Sequence, residues 1–321
     1  MKSLTERNAM RAWILLMTVL PLLAQGPTAE FTRQRAIERK IAASIGRFQG
    51  KVSLFAKNLD TGESYSIRGD ERVKTASTIK LPIMTAVFAA AAEGRVKLDG
   101  EVALDKVNKV SGSGVLTEMT DGTRLRLIDL VHLMIVVSDN TATNTVLDQV
   151  PGDYVNEYME KLGLKDTRSL RKVLGSGSDV PRGVSKAGQV EDNKRFGIGV
   201  STPREMVTLI EKIERGEIVS KEASKEMIEI LKRQQYKDGI GRTLWALPVA
   251  SKSGSLDHLR ADAGIGYAPK GRIAIAITCD DIPNIDWSPD NPGHLLISRL
   301  TGFLIERLGK PEAAKPAPKA P

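Results

Sequence analysis

Ser77-Thr78-Ile79-Lys80-Leu81-Pro82-Ile83-Met84-Thr85-Ala86-Val87-Phe88-Ala89-Ala90-Ala91-Ala92 is where the pattern of this chain changes character. Before it the signal is that of strands. Lys51-Val52-Ser53-Leu54-Phe55-Ala56 alternates with period two, Asn58-Leu59-Asp60-Thr61-Gly62 is turn chemistry, and Glu63 to Ile67 returns as a second strand, so a short hairpin is predicted. An amphipathic helix precedes it, with Ala36, Ile37, Ile41 and Ile45 on one face. From Ser77 to about Arg233 the spacing becomes helical, over Met84–Ala92, Leu125–Val137, Asp153–Leu162 and Arg204–Ile213. Strands resume at Val249–Ser251, Asp262–Ala268 and Arg272–Thr278, with Ala268-Pro269-Lys270-Gly271 as a turn, and Gly293 to Leu308 closes the chain as a helix. The fold class is therefore α/β: a five-stranded antiparallel sheet flanked by terminal helices, with an inserted all-α domain. The corresponding boundaries are 30–72 with 234–308 for the α/β domain and 73–233 for the insertion.

The two ends read differently. Lys2, Arg7 and Arg11 precede the apolar run Ala12–Leu20, which is followed by Pro21 and small residues from Ala24 to Ala29. That is the pattern of a signal peptide over residues 1–29, too short for a membrane span, and it predicts an exported protein, periplasmic or secreted. Residues 309–321 form a Pro/Ala/Lys tail expected to be disordered.

The net charge of +8 is unevenly placed. Residues 1–29 carry three cations against Glu6, and the tail carries Lys310, Lys315 and Lys319 against Glu312. Each end thus holds +2, which leaves +4 spread over the body. With aromatics at 4%, neither a basic track nor a stacking platform is present, so no nucleic-acid partner is expected. Cys279 is the single cysteine and ends the apolar run Ile273–Thr278, which marks it as a buried structural thiol. His132, His258 and His294 are too scattered for zinc spacing, so neither metal nor cofactor is predicted. A monomer is expected.

Three short strings carry the chemistry. A serine three residues before a lysine means little alone, and Ser169 with Lys172 forms a second match in a basic loop. Ser77 and Lys80, however, stand at the head of a long apolar helix, where positions three apart share a face. Serine is a weak nucleophile without a base. Lys80 can serve once its amine is neutral, and desolvation plus a second cation, Lys252, would both lower its pKa. Ser138-Asp139-Asn140 follows the apolar stretch Leu130–Val137 and precedes a helix start. There the Ser138 hydroxyl is placed to relay a proton to a leaving nitrogen and the Asn140 amide to hold a substrate carbonyl. Lys252-Ser253-Gly254-Ser255 falls on a strand, with Lys252 aimed at the crevice and Ser253 and Ser255 along the ligand-facing edge. Gly254 permits close backbone approach. The N–H groups of Ser255 and Ser77 would form an oxyanion hole.

These strings, in this order, resemble class A β-lactamases and the wider penicillin-recognising serine hydrolases. The similarity spans roughly residues 35–308, with Ser253 in place of the commoner threonine after the lysine. The resemblance implies a β-lactamase-like fold and a serine hydrolase that opens β-lactam amides through an acyl-enzyme. By that likeness Ser77 is the nucleophile, Lys80 the proton acceptor, Ser138 the relay and Lys252 the electrostatic anchor. Asn140 and Ser253 would bind the substrate amide and carboxylate, with Arg260 as a further carboxylate contact. One departure stands out. The family's Glu-x-x-Leu-Asn string, whose glutamate activates the deacylating water, is missing between Lys165 and Thr202, where Asp179, Glu191 and Asp192 are acidic residues and Glu191 is the nearest substitute. Two alternatives therefore accompany the β-lactamase reading: a penicillin-binding or DD-peptidase-like protein that deacylates slowly, acting on peptidoglycan-like substrates, and a non-catalytic binder of cell-wall ligands.

Overall fold

The computed structural model describes residues 29–175, 180–269 and 271–309. The expected signal peptide and tail lie outside the described residues, apart from Ala29 and Gly309. Helix α1 runs Ala29–Gly46; its residues up to Ala36 belong to a first compact unit, and the chain from Ile37 onward forms a second. No helix among the described residues is long and apolar enough to cross a membrane.

The sheet contains β1 (Lys51–Asn58), β2 (Ser64–Ile67), β3 (Val249–Leu256), β4 (Leu259–Ala268) and β5 (Gly271–Asp280). Their order is β2-β1-β5-β4-β3, and every neighbouring pair is antiparallel. The period-two pattern sorts side chains cleanly to two faces. Val52, Leu54 and Ala56 of β1 join Ile273, Ile275 and Ile277 of β5 in one core with Ile37 and Ile41 of α1 and Leu296, Ile297, Leu300 and Leu304 of α8 (Pro292–Leu308). Phe55, Ala274, Ala276, Ala263 and Ile265 face the other way, into a larger core shared with the inserted helices.

Those helices are α2 (Lys80–Ala92), α3 (Leu127–Val136), α4 (Asn140–Gln149), α5 (Gly152–Lys161), α6 (Pro203–Glu214) and α7 (Lys221–Lys232). Helix α2 is buried continuously from Lys80 to Ala90, which is why its sequence is apolar all round. Pro82 lies in its first turn, where an amide hydrogen has no intrahelical acceptor. The insertion is not purely helical. Val73–Lys74, Gly199–Ser201 and Arg168–Ser169 form a small sheet, and Glu101–Ala103 pairs with Arg124–Arg126. Segments of two or three residues are too short to show a period, so the sequence gives no sign of them.

Strand β3 is the edge of the large sheet nearest the head of α2. Its free side is what lets a second element, and a ligand, approach the backbone.

Candidate active site

Ser77 sits in a single 3-10 turn, Ala76–Ile79, that runs directly into α2. The turn is tied down by the Thr78 hydroxyl and amide, both donating to Thr75 O at 2.8 and 3.1 Å. Ala76 has φ +46°, a left-handed conformation that a non-glycine residue rarely adopts. Ser77 is partly exposed while its neighbours on both sides are buried. Strand β3 presses against this turn. A Cβ added to Gly254 would lie 2.8 Å from Thr75 O and 3.0 Å from Ser77 N, so only glycine lets the strand reach the Ser77 amide.

Lys80, one helical step inward, is fully buried. Its Nζ donates to Ser138 O at 2.7 Å, Ser138 Oγ at 3.1 Å and Asn140 Oδ1 at 2.9 Å. All three ammonium hydrogens are therefore engaged. Burial, and after it the charge of Lys252, push the Lys80 amine well below the ordinary lysine range, while Asp139 acts in the opposite direction. Ser138, like Ala76, is a non-glycine residue at positive φ, +53°. Two strained positions thus flank one amine.

Lys252 is also fully buried, and its Nζ donates to Ser253 O at 2.7 Å. Burial lowers it to about 7, with Asp262 favouring the charged form. Ser253 is nearly buried and Ser255 half-buried along the same strand. The structure brings together Ser77's backbone with β3, and Lys80 with Ser138 and Asn140. The Asn140 amide is already occupied: Oδ1 accepts from Lys80, and Nδ2 donates to Ser111 O at 3.2 Å.

Three sequence-singled residues lie elsewhere or serve otherwise. Arg260 is buried on β4, donating to the carbonyls of Leu256, Leu259 and Asp286 beneath the Trp287 ring, so its guanidinium is held by backbone. Glu191 is exposed in a short surface helix and paired with Lys194 at 2.6 Å. Lys172, the lysine of the second Ser-x-x-Lys match, is clasped by Asn108 Oδ1 at 2.8 Å and by the Asp148 carboxylate.

Sequence reasoning missed three residues. Asp139 is 1% exposed and accepts from Ala142 N at 2.7 Å, Val115 N at 2.7 Å and Leu116 N at 2.9 Å. It caps α4 and fastens the 110–116 loop beside Asn140, whose own N–H donates to Ser113 O. Its signal was an aspartate directly before a helix start. Asn144 holds Val173 from both sides, accepting from its N–H at 2.8 Å and donating to its carbonyl at 3.0 Å. The loop segment facing α4 is thereby Leu170-Arg171-Lys172-Val173-Leu174-Gly175, which carries no carboxylate. Asp262, buried on β4 in register with Ser253, stands out in sequence only as an acid among small and apolar strand residues.

Comparison with known proteins agrees with this geometry. Residues 36–308 match a family model described as the β-lactamase enzyme family. A β-lactamase from Aeromonas hydrophila, AER-1, is 24% identical over 84% of this chain and 83% of its own length. The crystal structure of a β-lactamase from Sphaerobacter thermophilus superposes with TM-score 0.73 at 29% identity, covering 85% of this chain and 97% of that one. The structure of PBP-A superposes with TM-score 0.71 at 26% identity over 84% and 95%. A PBP-A variant captured as an acyl-enzyme with penicillin G gives 0.70 at 26% identity over 86% and 95%.

Proposed function

The chain belongs to the β-lactamase enzyme family, and from that premise we propose that it is a class A-like serine hydrolase of β-lactams, working through an acyl-enzyme on Ser77. The observation that carries this reading is the buried Lys80 amine, held against the Ser138 hydroxyl and the Asn140 amide and depressed by burial and by Lys252.

In the proposed sequence, Ser77 Oγ attacks the lactam carbonyl and its proton passes to neutral Lys80. The backbone amides of Ser77 and Ser255 receive the oxyanion. Ser138 hands its hydroxyl proton to the leaving ring nitrogen as the C–N bond breaks, and Lys80, 3.1 Å from that oxygen, restores it. Lys252 and Ser253 hold the substrate carboxylate. Water then cleaves the ester, returning Ser77 and releasing the ring-opened acid. The chain is taken as exported and monomeric, on the leader-like pattern of residues 1–29.

One observation favours a slower variant of the same chemistry. The segment that Asn144 fastens beside the site, Leu170 to Gly175, offers no general base, and Glu191 points to solvent. Acylation would then outrun ester hydrolysis, giving a penicillin-binding rather than a rapidly turning-over enzyme.

Incubation with a chromogenic cephalosporin, followed for turnover and for intact mass, tests both. Sustained colour supports hydrolysis, and one equivalent of colour with a lasting adduct supports slow release. No colour and no adduct would overturn the assignment, as would an adduct that survives in Ser77→Ala.

A further inference from the structure

The buried charges at the site are two lysines and two aspartates, and the two aspartates are built differently. Asp139 receives three backbone N–H bonds, which fully account for its place in the fold. Asp262, 2% exposed, receives one: Ile240 N–H donates to Oδ2 at 2.9 Å. The Ser251 side chain also favours its charged form, but Oδ1 has no hydrogen bond of ordinary length. A carboxylate so poorly solvated by hydrogen bonds must be neutralised by a nearby cation or by a proton.

The fold nonetheless makes room for it. A Cβ on Gly239 would lie 2.5 Å from Asp262 Oδ2, so the turn leading to Ile240 accommodates the carboxylate only as glycine. Asp262 is in register with Ser253, and Ala263 with Lys252, which places the acid diagonally beside the lysine on adjacent strands.

We propose that Asp262 is a positioning residue that acts through Lys252, holding that side chain as the standing cation of the site and leaving Lys80 as the amine that takes the proton from Ser77. The inference rests on the acyl-enzyme reading given above. The charged groups around the pair are few. Lys80 on α2 faces Lys252, with Asp139 of the α4 cap behind it. From the opposite side Asp262 meets Gly239, Ile240 and Ile297 of α8, none of them charged. His294, nearer the start of α8, is coupled to Arg260, Asp238, Arg242 and Asp286 instead.

The electrostatics support this division. Asp262 is raised to about 6, first by burial, so above that pH it is anionic and favours the charged Lys252. Charged Lys252 in turn disfavours a charged Lys80. Removing the carboxylate therefore has two opposite consequences: Lys252 gives up its proton more readily, and Lys80 keeps its proton longer.

The test is the pH dependence of acylation, read as adduct formation on Ser77 by quenched intact mass at limiting β-lactam, for wild type and Asp262→Asn. The expected result is a bell that narrows from both sides. The basic limb should move down and the acidic limb up, each by about one pH unit or more. At pH 7 the acylation rate constant should fall about tenfold or further. A uniform loss with both limbs in place would mean that Asp262 only packs, and would overturn the proposal.

Should Asp262→Asn fail to fold, wild-type protein labelled with 15N at lysine Nζ gives the same answer, with Lys252→Arg assigning the signal. Lys80 must lose its proton at lower pH than Lys252; the reverse order refutes the inference. Wild type that forms no adduct at all sinks the acyl-enzyme reading instead, and the two failures are thus distinguishable.

Discussion

Replacing Asp139 by alanine tests whether the Ser-Asp-Asn string is a structural fastening as well as a source of functional groups. The substitution removes the α4 N-cap, worth about 1 kcal/mol. It also strands the Val115 and Leu116 amides, the latter buried, at about 1–3 kcal/mol for a donor left without water or partner. A total near 4 kcal/mol follows, and at about 2–3 °C per kcal/mol for a domain of this size the melting temperature should drop by about 8–12 °C. The effect on acylation should be larger than the loss of folded protein explains. The freed 110–116 loop no longer holds Asn140 through the Ser113 and Ser111 carbonyls, and Asn140 is one of the three acceptors that orient Lys80. Thermal melts paired with adduct formation at 20 °C, where the variant remains folded, separate the two. A melting temperature within 2 °C of wild type, or normal acylation by the folded variant, would falsify the fastening role.

Lys80→Met should slow acylation by about 10²–10⁴-fold, the usual contribution of a positioned base, with substrate binding largely kept; single-turnover rates over a substrate series check it. Because burial lowers Lys252 to about 7, the folded state binds fewer protons than the unfolded chain between pH 7 and the ordinary lysine range. Stability should therefore rise as pH increases from 7 to 10, and Lys252→Met should be more stable than wild type at pH 7 with a flatter pH dependence, which calorimetry can show. Lys172→Met should loosen the 165–185 loop by about 1–2 kcal/mol, the Asp148 partner being half-exposed and screened. Faster limited proteolysis within that segment is the expected sign, and unchanged cleavage would count against the clasp. Cys279, buried and with its thiol pushed up by burial, should be inert to a disulfide reagent in the native protein and titrate as one equivalent in denaturant.

The five strands, the terminal helices and the four principal side chains were legible because each is announced by its immediate neighbours. Alternation marks β1, and an apolar helix follows Ser77 and Lys80 directly. A polar triplet between two helices marks Ser138 and Asn140, and a glycine inside a strand marks the approach of β3. A local window suffices where the physical cause is local. The rest was decided in three dimensions. Asp139 finds its amide donors 23 and 24 residues away. Asn144 selects Val173 as the residue beside the site from 29 residues away. Arg260 is immobilised by the Asp286 carbonyl. The protonation of Lys80 and Lys252 depends on burial and on charges carried by other strands and helices. Sequence supplies the functional groups; desolvation and long-range contact, which exist only once the chain has closed on itself, set their charge and orientation.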